Sequence, residues 1–190
     1  MRIASLSVSL VIALVVFSAL SCSDSSGPEI RGTLAFTYTG AGGGAFSASG
    51  DAPVSSAPPT GTSWAAGYVQ ANESFFGGST PRSGVLIDLA IVRAERTTPG
   101  SENIDPACKI DGSTSCTGMD FYLNFNGDGD TGDFFCALTS GTIVLTQVSS
   151  SRAKGTFSGS GICVDGTGRG SEAFEVGNGG FDGALIAPPG

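Results

Sequence analysis

Oxygen-bearing side chains crowd one short stretch of the chain: Asn124, Asn126, Asp128, Asp130 and Asp133, with Gly127 and Gly129 between them. Ca²⁺ takes about six to eight oxygen ligands, and alternate positions of a tight loop aim theirs inward. Carboxylates also come in pairs, Asp128 with Asp130 and Glu172 with Glu175. Two acids at the right separation suffice for glycoside hydrolysis, but nothing in the sequence singles out one pair. The chain has no His, which removes Ser-His-Asp and Cys-His nucleophiles, His-ligated zinc and the usual proton switch near neutral pH. Gly166-Thr167-Gly168-Arg169-Gly170 lacks the strand-to-helix setting of a phosphate loop and reads as a turn. Asn72-Glu73-Ser74 has the form of a glycosylation acceptor, too short a pattern to argue from by itself.

The stretch Asn124–Asp133 resembles the calcium loop of dockerins and EF-hands, with Asn124, Asn126 and Asp128 at ligand positions one, three and five and Gly129 at the sharp turn. The resemblance implies a Ca²⁺ site, with Asp130 and Asp133 as further donors. Phe135 stands where the family places its bidentate Glu. The alternative is a hairpin loop in which Asn-Gly and Asp-Gly supply turn geometry and the acids are simply solvated.

The amino terminus says where such a domain would work. Ala4 to Leu20 carries no charge and follows Arg2, the pattern of a secretory signal. It ends in Ser18-Ala19-Leu20-Ser21-Cys22, which resembles the lipobox of bacterial lipoproteins, with Ala19 where the family favours Leu and Ser21 in the small-residue position. That resemblance implies cleavage of residues 1–21 and acylation of Cys22, hence a membrane partner through the lipid. Ser23, where retained lipoproteins carry Asp, points to the outer membrane. Residues 22–28 are polar apart from Cys22 and read as a flexible tether. Residues 29–190 are then one domain. Processing would leave eight Lys and Arg against 17 Asp and Glu, net −9, a poor match for nucleic acid.

Four further cysteines remain, Cys108, Cys116, Cys136 and Cys163, an even set in an exported chain, which predicts two disulfides. Cys108–Cys116 closes a short loop through Asp111-Gly112. A hairpin centred at 149.5 pairs residues whose numbers add to 299, as 136 and 163 do. A four-thiolate zinc site lacks any CxxC pair.

The positioning elements are strands. Leu34, Phe36 and Tyr38 alternate with Thr33, Thr37 and Thr39; Trp64, Ala66 and Tyr68 face away from Ala65 and Val69; Phe121, Leu123 and Phe125 alternate with Tyr122 and Asn124. Val85–Val92 is apolar on both faces except at Asp88, as expected of a central strand, with Asp88 either at a wet face or hydrogen-bonded inside. Gly32–Thr37 with Gly44–Gly50 is echoed by Gly141–Thr146 with Gly155–Gly161, predicting two related hairpins that turn at Gly40–Gly43 and Ser149–Ser151. Asp51–Thr62 and Thr97–Gly118 read as long loops, the second tied down by its cysteines.

The expectation is an all-β domain, an antiparallel sandwich or small barrel of about eight strands. Its Gly-Thr-Phe-Ser strands resemble those of small uncharacterised lipoprotein domains. The functional expectation is a non-enzymatic envelope lipoprotein whose β-domain serves interaction or structure, without a cofactor unless the acidic loop takes Ca²⁺. The alternatives are a carrier whose Trp64, Tyr68 and several Phe line an apolar cavity, and a carboxylate-based hydrolase.

Overall fold

The computed structural model describes residues 31–51, 62–82, 86–108, 115–125, 133–167 and 170–185. Along Thr33–Thr39 the side chains alternate between a buried and an exposed face as the sequence does, so Leu34, Phe36 and Tyr38 point inward and Thr33, Thr37 and Thr39 outward. Ten strands result: β1 (Arg31–Thr39), β2 (Gly44–Asp51), β3 (Trp64–Gln70), β4 (Glu73–Pro81), β5 (Ile87–Ala94), β6 (Gly100–Asn103), β7 (Gly118–Phe125), β8 (Phe134–Val148), β9 (Arg152–Asp165) and β10 (Ser171–Ala184). That is more than the eight or so expected. The short β6 forms inside the Thr97–Gly118 segment by pairing with β8 over Thr142–Leu145. No helix occurs among the described residues.

All ladders are antiparallel, in the order β2-β1-β10-β9-β8-β7-β5-β4-β3. The sheet curls into a nearly closed barrel. Its two ends meet by crossing: Ser63 and β3 pass the ends of β2, β1 and β10, with Ser63 taking the Ser49 N–H at 2.9 Å and Gly67 bridging to Leu185. The crossing is backbone on backbone, and a Cβ on Gly32 would collide with the Ala65 carbonyl oxygen.

Both expected hairpins form. The first turns through Gly40–Gly43, four residues with positive φ closed by Gly43 N–H on Gly40 O at 2.8 Å. In the second, Ser149 N–H meets Arg152 O at 2.9 Å. Leu34 pairs with Ala48, but its counterpart Ile143 pairs with Phe157 and not with Gly159, the counterpart of Ala48. A slip of two residues keeps the same side chains inside. β10 lies between the hairpins, pairing with β1 on one side and β9 on the other.

Rings from opposite walls fill the interior. Phe121 of β7 meets Phe36 of β1 at 5.1 Å, Phe46 of β2 at 5.5 Å and Phe174 of β10 at 6.2 Å. Phe76 of β4 stacks on Phe181 of β10 at 4.9 Å. Each such side chain contributes roughly 1.5–3 kcal/mol by leaving water. A small apolar pocket lined by Phe76, Val92, Ile143 and Phe181 measures about 10 Å³, about the size of one water.

Candidate functional site

Two polar constellations are built into this frame. At one end of the barrel, Asp88 interrupts β5 beside the bulge between Ile87 and Leu89. It is buried, accepts Arg82 Nε–H at 2.6 Å on one oxygen and the Asn124 backbone N–H at 3.1 Å on the other. The hydrogen-bonded reading of Asp88 is the one the structure displays. Burial and the Asp88 charge push the Tyr38 hydroxyl above its ordinary pKa, against Arg82, which also hydrogen-bonds it.

Asn124, next to last in β7, lies in the left-handed region, φ 54°, and its side-chain amide donates to Asp133. Asp133 N–H donates to Leu123 O at 3.0 Å, and Asp133 O accepts from Gly166 N–H at 3.0 Å. The structure thus brings together Asn124 and Asp133, the two ends of the expected calcium loop. Asn126, Asp128 and Asp130 lie outside the described residues, as do Cys22 and the tether. Among the described residues no group of three or more His, Cys, Asp or Glu is placed to hold a metal ion.

The second constellation sits on the outer wall of β3, β4 and β5 and was not legible in the sequence. Arg93 Nη2 donates to both carboxylate oxygens of Glu73, at 2.8 and 2.7 Å, and both side chains are nearly sealed from solvent. The guanidinium lies 4.8 Å from the centre of the Phe75 ring, a cation–π contact, and Phe75 stacks on Tyr68 at 4.6 Å. Ser115 Oγ–H donates to Glu73, and Arg93 Nη1 reaches Cys116 Sγ at 3.9 Å. Burial pushes the Glu73 carboxyl up, but the Ser115 and Arg93 hydrogen bonds, the Arg93 charge and a Cys116 backbone N–H together hold it below its ordinary value. A carboxylate held ionised in this way is a poor proton donor. Its evident work is to pin Ser115 and Cys116 to the barrel wall.

The cysteines pair at disulfide distance, Cys108 with Cys116 at 1.99 Å and Cys136 with Cys163 at 1.95 Å. Trp64 and Tyr68 do not line an interior cavity. They lie on the outer face of β3, Trp64 over Gly77, because the inner positions Ala65 and Gly67 occupy the crossing where only small residues fit. Glu172 and Glu175, three apart on one strand, face opposite ways: Glu172 accepts the Ala41 N–H, while Glu175 borders an open outer groove with Thr37, Thr39 and Ser160. Asp128 and Asp130 are outside the described residues.

The fold and these constellations define a ring-filled antiparallel β-barrel with two covalent-distance clasps. No protein-family model matches the sequence, and neither a curated protein nor a solved structure resembles it significantly.

Proposed function

We propose that this chain is an exported lipoprotein, anchored through Cys22 in the outer membrane, whose β-barrel acts by surface interaction without catalysing a reaction. The observation that carries the reading is the pairing of all four body cysteines at bonding distance, which suits the oxidising space beyond the inner membrane. The charge-free run before Cys22 and the polar tether after it supply the anchor. The packing of Phe121 against Phe36, Phe46 and Phe174 across the barrel interior favours this reading over a carrier of apolar molecules. The opposed directions of Glu172 and Glu175 speak against these two as a paired-carboxylate site. Fractionation of the wild-type chain against Cys22→Ser tests the proposal.

Weak Ca²⁺ binding at Asn124, Asn126, Asp128, Asp130 and Asp133 belongs to the same proposal. It is supported by the way Asn124 and Asp133 close the loop's two ends on each other. The cation would displace the Asn124 amide from Asp133 and take its oxygens.

A further inference from the structure

We infer that the end of the barrel where β1 begins rests against lipid headgroups, with Arg152 and Lys154 meeting their phosphates. This builds on the lipid anchor proposed at Cys22 and adds the face that the anchored barrel turns to the membrane. Arg31 opens β1, nine residues after Cys22, and nine residues span at most about 32 Å. β10 alone has 14 residues, about 46 Å of strand. The connection therefore keeps the entry end of the barrel close to the bilayer and leaves the far end free to stand away from it. Beside the entry lies the Ser149–Ser151 turn. Asp182 pairs with both Thr33 and Lys154, Ala184 pairs with Arg152, and Leu185 N–H donates to Ser151 O at 2.9 Å.

Charge divides the same wall by end. On β2, β1, β10, β9 and β8, neighbours in that order, the entry end carries Arg31, Arg152 and Lys154 against Asp51 and Asp182. The far end carries Asp165, Glu172 and Glu175 and no cation: Thr39, last of β1, pairs with Glu175, and Phe134, first of β8, pairs with Asp165. Arg152 Nε–H meets Asp182 at 2.7 Å and Lys154 Nζ meets it at 3.3 Å, so one carboxylate answers two cations. Both side chains remain about half exposed, 44% and 55%, with N–H donors to spare. Arg82, half exposed at the far end, belongs to the opposite wall and is taken up by Asp88 and Tyr38.

An anionic surface attracts the entry end and repels the far one. The net charge of −8 keeps the chain from joining such a surface by charge alone, so the acyl chain supplies attachment and the charge asymmetry supplies orientation. Phosphate oxygens accept from the guanidinium fork of Arg152 and from the Lys154 ammonium. Each Lys or Arg held near an anionic leaflet shifts such an orientation equilibrium about fivefold. The far end, with Glu175 and the groove it borders beside Thr37, Thr39 and Ser160, then faces away from the bilayer and toward partners.

The test takes the acylated full chain, purified from membranes in detergent and incorporated into vesicles of phosphatidylcholine with or without phosphatidylglycerol, all carrying dansyl-labelled headgroups. Trp64 is the single Trp of the chain and lies at the entry end, where Gly50 abuts Ser63 and Gly32 abuts Ala65. Energy transfer from Trp64 to dansyl therefore reads the orientation. Transfer should be stronger with phosphatidylglycerol and should fall as salt screens the contact. Arg152→Gln with Lys154→Gln should lower the ratio of facing to turned-away barrels about tenfold. Thr39→Glu with Ser160→Glu, the same change of net charge at the far end, should not lower it. Equal transfer in the two kinds of vesicle, a doubly substituted Arg152 and Lys154 chain that matches the wild type, or an equal loss in the far-end variant overturns the inference. So does loss of transfer on adding inorganic phosphate at matched ionic strength, which would make the contact a site for free phosphate. A purified chain without an acyl group on Cys22 would refute the anchor and this orientation together, whereas an acylated chain with indifferent transfer refutes the orientation alone.

Discussion

Cys136 stands opposite Cys163 in the β8–β9 ladder, although the pairing beside the turn, Val148 with Ala153, would if continued unbroken set Cys136 against Asp165. Register shifts between Leu145 and Gln147 and between Leu138 and Ser140 each absorb one residue and bring the two sulfurs together. The bulges are thus part of the covalent design.

Non-reducing peptide mapping of the exported protein should recover Cys136 linked to Cys163 and Cys108 linked to Cys116. Removing the first bridge by a Cys136→Ala, Cys163→Ala double substitution should cost about 3–4 kcal/mol in urea unfolding, and removing the shorter one about 2–3 kcal/mol, from loop closure in the unfolded chain. Recovery of Cys108 joined to Cys136 or Cys163 would contradict the arrangement.

The Glu73–Arg93 pair should behave as a buried ion pair. Arg93→Ala strands the Glu73 carboxylate in its nearly sealed position beside Ser115 and should cost about 3–5 kcal/mol, whereas replacing both partners with apolar residues should cost less. Equal losses in the single and double variants would sink this account. The pH dependence has a definite sign: the folded-state values of Glu73 and Asp182 lie below their ordinary 4.5 and 3.8. Their stabilisation is therefore complete above those ordinary values and is lost as pH falls through the folded ones. For Asp182, burial is outweighed by Arg152 and Lys154; this pair is partly exposed, so its share is small. Urea midpoints measured between pH 7 and pH 3 should fall less for Glu73→Gln than for the wild type.

Phe121→Ala should cost about 3–5 kcal/mol and leave a cavity, because Phe121 joins rings from three other strands. An apolar dye should then bind the variant and not the wild type. Stoichiometric binding to the folded wild type would revive the carrier.

For the acidic loop, the expected calcium affinity is weak, about 10⁻⁴–10⁻³ M, since Phe135 replaces the bidentate Glu. At tenfold saturation the gain is about 1.4 kcal/mol. Thermal midpoints of the wild type should rise by a few degrees between EDTA and about 10 mM Ca²⁺ at matched ionic strength, roughly ten times the weakest dissociation constant expected, and those of Asp128→Ala should not. Identical wild-type midpoints would reduce the loop to an acidic turn.

Much of the barrel is legible from local rules. Period-two alternation reports a strand face directly, so the inward set Leu34, Phe36 and Tyr38 and the hairpin turns follow from short stretches. The Cys136–Cys163 pairing is correct, but the assumed turn centre would set Val148 against Ser151, where Ala153 sits; two bulges no local pattern announces restore it. For Trp64 and Tyr68 the alternation holds while the side is reversed, because the crossing of β3 over β1 admits only Ala65 and Gly67 inside. Gly100-Ser101-Glu102-Asn103 has no alternation and becomes a strand through β8 alone. Glu73 and Arg93 are single charges twenty positions apart, and only the β4–β5 pairing makes them neighbours.

Separation of cell membranes from soluble material, with the wild-type chain beside Cys22→Ser, tests the central claim most directly. The wild type should sediment with the outer membrane and release only with detergent, its amino-terminal peptide beginning at an acylated Cys22. Cys22→Ser should appear in the soluble fraction with both cysteine pairs still joined. A Cys22→Ser chain that remains with the membrane as the wild type does would contradict lipid anchoring and the envelope role built on it.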